Sequence, residues 1–192
     1  MSDTVKVLQF ICPTGFYGAE RWILTLAKNL DRQQVQCDLA VTVEPDLPEL
    51  EVEKQYKLLA GATHKLAMSG RFDLSVIRKL CQLIRREGYQ IIHTHGYKSD
   101  ILGLIAARLT GITALSTPHG FENADDWKLK AYIGVGNRFL RWFDGVAPLS
   151  EQLCKDMDTI GVRRSKVHYI QNGVDLDEVE RCRVDPATLP KS

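Results

Sequence analysis

Val5-Lys6-Val7-Leu8-Gln9-Phe10-Ile11 runs into Cys12-Pro13-Thr14-Gly15-Phe16-Tyr17-Gly18-Ala19-Glu20, where the helical pattern Ala19–Leu30 begins. A short apolar run thus gives way, through glycines, to a helix. The alternation repeats along the chain. Val35–Val43, Thr63–Met68, Ile91–Thr94, Thr113–Thr117, Gly145–Leu149 and Lys166–Ile170 also read as strands. Glu49–Leu59, Leu74–Glu87, Ser99–Thr110, Trp127–Phe143 and Glu151–Ile160 also read as helices. Asp73 and Ser150 stand at N-cap positions, and Gly61, Gly88, Gly111 and Gly161 follow helix ends. Seven strands alternating with six helices predict an α/β fold, an open parallel sheet with helices on both faces. The stretch Val184–Ser192, with Pro186 and Pro190, reads as a tail or linker.

A chain of 192 residues suits one domain with a sizeable core. A net charge of +1 offers no basic field for nucleic acid. The cysteines (Cys12, Cys37, Cys81, Cys154 and Cys182) are odd in number and form no C-x-x-C pair, as expected in a reducing cytoplasm. The first residues have no apolar signal core, and no apolar stretch reaches the ~20 residues that span a bilayer. Any membrane contact is therefore expected to be peripheral. Two helices could supply it: Leu74–Glu87, with Arg78, Lys79, Arg85 and Arg86 and with Arg71 just before it, and the aromatic-rich Trp127–Phe143. The commoner reading of the second is a crossover helix packed on the sheet.

In a sheet of this kind, ligands bind outside the carboxyl ends of the strands. The residues after the predicted strands are therefore the candidates. They include Gly15, Gly18 and Glu20 after the first, His95, Gly96 and Tyr97 after the fourth, and His119 and Gly120 after the fifth. Ser150 follows the sixth strand, and Asn172 and Gly173 follow the seventh. Glycines at a helix start let backbone N–H groups approach a phosphate. A plain strand-to-helix turn would look the same, and Gly15 and Gly18 do not complete the dinucleotide fingerprint, which disfavours a nicotinamide-binding protein. His119, between Pro118 and Gly120, could reach into a cleft or bond to its own turn. His93 and His95 lie two apart and share a strand face, but no third metal ligand is evident. His64 and His168 fall within predicted strands, and Glu49, Glu51 and Glu53 read as a solvated helix face.

These motifs resemble the N-terminal half of a family 4 glycosyltransferase, a retaining sugar transferase of the GT-B fold. The resemblance runs from about Val5 to Asp175. It rests on the Gly-rich loop leading to Glu20-Arg21, Ile91-Ile92-His93-Thr94-His95-Gly96, Thr117-Pro118-His119-Gly120 and Asn172-Gly173-Val174-Asp175. It implies that residues 1–183 form a Rossmann-like acceptor-side domain, and that a separate C-terminal domain, absent from these residues, binds the nucleotide sugar. It further implies that Gly15 and Gly18 approach the donor diphosphate, that His119 lies beside the transferred sugar, and that Glu20, His95, Gly96 and Tyr97 line the acceptor side. Gly120, Ser150, Asn172 and Gly173 would then border the interdomain cleft. No cofactor or metal is implied; the nucleotide sugar is a substrate, and the acceptor is a glycan or lipid-linked molecule of cell-surface polysaccharide or lipopolysaccharide assembly. Tyr17 departs from the family's paired glycines, and its side chain would crowd the phosphate or stack on a ligand. The alternative is a non-catalytic module that docks on a partner transferase or a membrane. On either reading the protein is cytoplasmic, at most peripheral at the inner face of the cell membrane, and the 192 residues alone are expected to be inactive.

Overall fold

The computed structural model describes residues 4–13, 15–44, 49–59, 61–70, 73–120, 134, 137–181 and 183. Among the described residues, six strands are formed: β1 (Val5–Ile11), β2 (Val35–Val43), β3 (Thr63–Ala67), β4 (Ile91–His95), β5 (Thr113–Thr117) and β6 (Gly145–Val146). The helices are α1 (Gly18–Asn29), α2 (Glu51–Leu58), α3 (Ser75–Glu87), α4 (Tyr97–Thr110), α5 (Glu151–Ile160) and α6 (Leu176–Arg181). All strand pairings are parallel, in the order β3-β2-β1-β4-β5-β6. The order reverses between β1 and β4. There the connections leave in opposite directions and open a crevice at the carboxyl ends.

Period-two alternation divides the core. Leu8, Phe10 and Ala40 pack with Leu80 and Ile84 of α3 and Leu104 of α4. Ile11, Leu39 and Val41 pack on the other face with Trp22 and Ile23 of α1 and Val52 and Tyr56 of α2. Ser150 caps α5 by accepting from the backbone N–H of Leu153 at 3.2 Å. Asp73 accepts from the N–H of Ser75 at 2.8 Å just ahead of α3. Gly88, Gly111 and Gly161 end α3, α4 and α5. Gly61 differs from these three because no left-handed conformation is involved; a Cβ there would stand 2.4 Å from the Tyr56 ring.

Two expectations need correction. The seventh strand, Lys166–Ile170, is reduced to a three-residue helical turn at Arg164–Lys166 and a single bridge from Val167 to Val146. The segment still runs beside 145–149, with His168 N bonded to Val146 O at 2.9 Å and Ile170 N to Pro148 O at 3.1 Å. Pro148 has no N–H to return, so a regular ladder cannot propagate, and His168 lies outside any strand. Glu53 is not solvated but fully buried. Residues two apart do not share a helix face. Glu53 Oε2 accepts from Leu50 N–H at 3.1 Å, and Lys65 Nζ stands 3.6 Å from Oε1. Most of Trp127–Phe143, together with Arg71, Cys182 and 184–192, lies outside the described residues. Its last part forms a helical turn at Leu140–Trp142, with Leu140 and Phe143 buried and Trp142 exposed. No helix among the described residues is long and apolar enough to cross a membrane.

Candidate functional site

The crevice at the switch point is a cleft of about 620 Å³. Its walls come from the ends of β1, β4 and β5, the starts of α1 and α4, and the turn before α5. Gly18, Glu20, His95, Gly96, Tyr97, His119, Gly120, Ser150 and Asn172 all line it. Gly15 and Gly173 are not among the lining residues. Tyr17 lines it as well, and so do Cys12, Lys98 and Asp100, which the sequence did not mark as site residues.

Two glycines set the geometry. Gly96 joins β4 to α4 at φ 88° and ψ 154°, a conformation essentially confined to glycine. Gly120 follows His119 at φ 133°. Each of these glycines adjoins a cleft histidine, and the imidazoles stand at the strand ends. At the α1 start, Glu20 turns its carboxylate back to accept from Tyr17 N–H at 2.9 Å. It is buried, and it tightens the loop whose glycine faces the cleft. The Tyr17 ring folds against Gly15, within 2.3 Å of where a Cβ would stand, while the residue remains exposed. Gly18 is exposed, and apart from its chain neighbours and its own helix nothing stands within 4 Å of where a Cβ would be.

The histidines form one cluster. His95 Nδ1 lies 3.1 Å from His119 Nε2, and His95 Nε2 lies 2.6 Å from Gln9 Oε1. His93 Nε2 lies 2.8 Å from Thr117 Oγ1. The Trp22 ring packs against all three imidazoles at centroid distances of 5.4–5.9 Å. Burial dominates their titration. It lowers His93 to about 3 and His119 to about 4, and holds His95 well below the ordinary histidine range, helped by its histidine neighbours. At neutral pH the cluster is uncharged. His119 thus bonds to another imidazole rather than its own turn, and it is only half buried.

Asp100, in the first turn of α4, is buried among hydroxyls. Thr94 Oγ1 and Ser116 Oγ both donate to its Oδ1. Burial raises its pKa to about 7, against the opposing pull of those hydroxyls. Cys12 is likewise raised, to about 11, by burial, so it is a thiol rather than a nucleophilic thiolate at neutral pH. Among the described residues, Lys98 is the cationic side chain lining the cleft. A neutral imidazole, helix starts and one lysine suit a polar ligand with hydroxyls and an anionic end.

The basic face of α3 is partly committed elsewhere. Lys79 donates to Ala67 O, Arg85 to Leu109 O at 2.9 Å, and Arg86 pairs with Glu87 at 2.7 Å.

Residues 16–178 match the model of Glycosyltransferase Family 4. An Escherichia coli UDP-Gal:alpha-D-GlcNAc-diphosphoundecaprenol alpha-1,3-galactosyltransferase is 31% identical over 115 residues, covering 55% of this chain and 29% of that enzyme. Among solved structures, Anabaena HepE in complex with UDP superposes with TM-score 0.71 at 15% identity, covering 95% of this chain and 47% of that one. The lipopolysaccharide outer core galactosyltransferase WaaB does so with TM-score 0.67 at 13% identity, covering 88% and 46%. At those identities the structural likeness establishes the fold, and the chain spans less than half the length of each of these proteins.

Proposed function

The chain belongs to glycosyltransferase family 4, and on that premise we propose that it is the acceptor-binding half of a retaining glycosyltransferase. The reaction moves a sugar from a nucleotide sugar to an acceptor hydroxyl in cell-surface polysaccharide or lipopolysaccharide assembly. One observation carries the reading: His95, His119, Gly18 and Asn172, from distant parts of the chain, line a single cleft at the switch point of the sheet. The names of the similar proteins support the substrate class. The E. coli enzyme is named for UDP-galactose and a diphosphoundecaprenol-linked sugar, and HepE was crystallised with UDP.

The roles follow from the chemistry of each group. Gly18, with open space beyond its backbone, lets a diphosphate approach the α1 start, and Lys98 adds charge of the right sign. His119 meets the transferred sugar, while Tyr97 and Gly96 border the acceptor. Catalysis comes from positioning and from charge stabilisation of the leaving diphosphate. We further propose that a donor-binding domain, in the same or a separate polypeptide, covers the segment where Tyr169, Ile170, Val174, Leu176 and Val179 are exposed. That patch equally favours the alternative of a docking module without chemistry of its own.

The test is His119→Ala in the two-domain enzyme. Loss of one transition-state hydrogen bond of about 1–3 kcal/mol lowers kcat by roughly 10- to 100-fold with less effect on acceptor KM. Unchanged turnover in a folded variant rejects the role. Peripheral membrane contact through Arg78 and its neighbours is proposed as weak and salt-sensitive, given how many of those side chains are engaged. Co-sedimentation with anionic vesicles at low and high salt decides it; no binding in either condition removes it.

A further inference from the structure

We infer that Gln9 is a positioning residue that fixes the tautomers of His95 and His119, so that His119 meets its ligand as a hydrogen-bond acceptor. Gln9 sits in the middle of β1 between Leu8 and Phe10, and all three side chains are buried. A primary amide buried in a sheet core needs partners at both ends. Its Nε2 faces Cys37 Sγ at 3.4 Å, and its Oε1 faces His95 Nε2 at 2.6 Å. The second distance suits an oxygen acceptor and is too short for two nitrogens sharing a proton. A carbonyl oxygen has no hydrogen to give, so the proton lies on His95 Nε2.

The rest follows by counting protons. A neutral imidazole has one N–H, so His95 Nδ1 is a bare lone pair. Its partner at 3.1 Å, His119 Nε2, must then carry the hydrogen of that contact. His119 in turn keeps a bare Nδ1. No described residue bonds that nitrogen, and the ring lines the cleft. Among the described residues, the hydrogen-bond and ring partners of the two imidazoles are each other, Gln9, His93 and Trp22, none of them anionic, so none of these partners holds a second proton on either ring. An acceptor-only nitrogen pairs with a hydroxyl, not with a phosphate oxygen. Turning the Gln9 amide over would reverse every proton in the chain and make His119 a donor suited to phosphate. A side chain at the centre of the sheet thus decides which chemical group His119 recognises. That the hydroxyl belongs to a sugar rests on the function proposed above; the tautomers do not.

The experiment is a long-range proton–nitrogen spectrum of the ¹⁵N-labelled 192-residue chain at neutral pH, with the His119 signals assigned by their loss in His119→Ala. The expected result is that His95 and His119 both carry hydrogen on Nε2, and that Gln9→Met shifts His95 and His119 toward the Nδ1–H form. Nδ1–H on His119 in the unaltered chain overturns the inference, as do unchanged tautomers in a folded Gln9→Met variant. If Gln9→Met does not fold, the unaltered chain's spectrum decides alone. Titration with UDP-galactose separates the two readings. Nε2–H tautomers without any ligand-induced shift sustain the role of Gln9 and count against a sugar nucleotide in this cleft.

Discussion

Lys28 Nζ stands 2.7 Å from Asp175 Oδ2, so the last residue of the Asn172-Gly173-Val174-Asp175 motif is tied to the end of α1. Asn172 is held as well, its N–H bonded to Leu149 O at 3.1 Å. These contacts put Asn172 on the cleft wall while Gly173 stays outside it. The motif is therefore anchored to this domain on both sides of its glycine.

Breaking the tie is expected to act locally. In Asp175→Asn the ion pair is lost, but Lys28 is 42% exposed and water screens the pair. Global stability should fall by less than about 1 kcal/mol. Hydrogen exchange at the Asn172 amide should nevertheless accelerate, because its segment loses an anchor. Unchanged exchange at Asn172 would mean that the ion pair does not anchor the motif.

Gly96 and Gly18 should respond oppositely to alanine. Gly96 has room for a Cβ, the nearest atom being Ser99 Oγ at 4.0 Å, so the cost of Gly96→Ala is that of its backbone conformation, about 1–3 kcal/mol. Gly18 has no left-handed backbone, and nothing beyond its chain neighbours and its own helix comes within 4 Å of a Cβ there. Gly18→Ala should therefore fold with unaltered stability and, on the proposed phosphate site at the α1 start, still weaken UDP binding, because the methyl group would stand on the proposed path of approach. Denaturant melts and calorimetric titration check the pair. Full UDP affinity in Gly18→Ala would remove the phosphate from that loop.

The first five strands were legible because they are short and most are rich in β-branched or apolar residues, alternating with helical patterns. The last was not. Its reading treated Gly145–Leu149 as a full strand, whereas Pro148 leaves the neighbouring segment without a donor at the position where pairing would continue. In the cleft, His95, His119 and Gly96 could be found by their position after strands. Gln9 and Trp22 could not, since one hides in an apolar strand and the other reads as an ordinary core residue of an amphipathic helix. A polar residue in a central strand buried on both faces is the signal that would have exposed Gln9. Glu20 was found as a cleft residue, but its bond to the Tyr17 amide depends on loop geometry that no spacing rule supplies.

The histidine cluster also sets a pH dependence. His93, His95 and His119 have pKa values depressed below the ordinary 6.5, to about 3 for His93 and about 4 for His119. Their contribution to stability is complete above 6.5 and is lost as pH falls toward the folded values. Asp100 acts oppositely. Its pKa rises from 3.8 to about 7, so its contribution is complete below 3.8 and lost as pH rises toward 7. Three histidines outweigh one aspartate, and unfolding near pH 5 should take up about two protons net. Urea midpoints should therefore fall steadily from pH 6.5 toward pH 4.5. A midpoint that holds or rises over that interval would show the histidines to be already charged in the fold.

The central claim is that this domain supplies one wall of a sugar-transfer cleft, and a reconstitution assay tests it most directly. The purified 192-residue chain is incubated with UDP-sugars and lipid-diphosphate-linked acceptors, with and without a separately expressed donor-binding domain of a family 4 enzyme. The reaction needs donor and acceptor held together, and the described cleft offers one side of that arrangement. The expected result is no measurable transfer by the chain alone, transfer on adding the second domain, and loss of that transfer in His119→Ala. Robust transfer by the chain alone, or none under any pairing while UDP-sugars fail to bind, would contradict it.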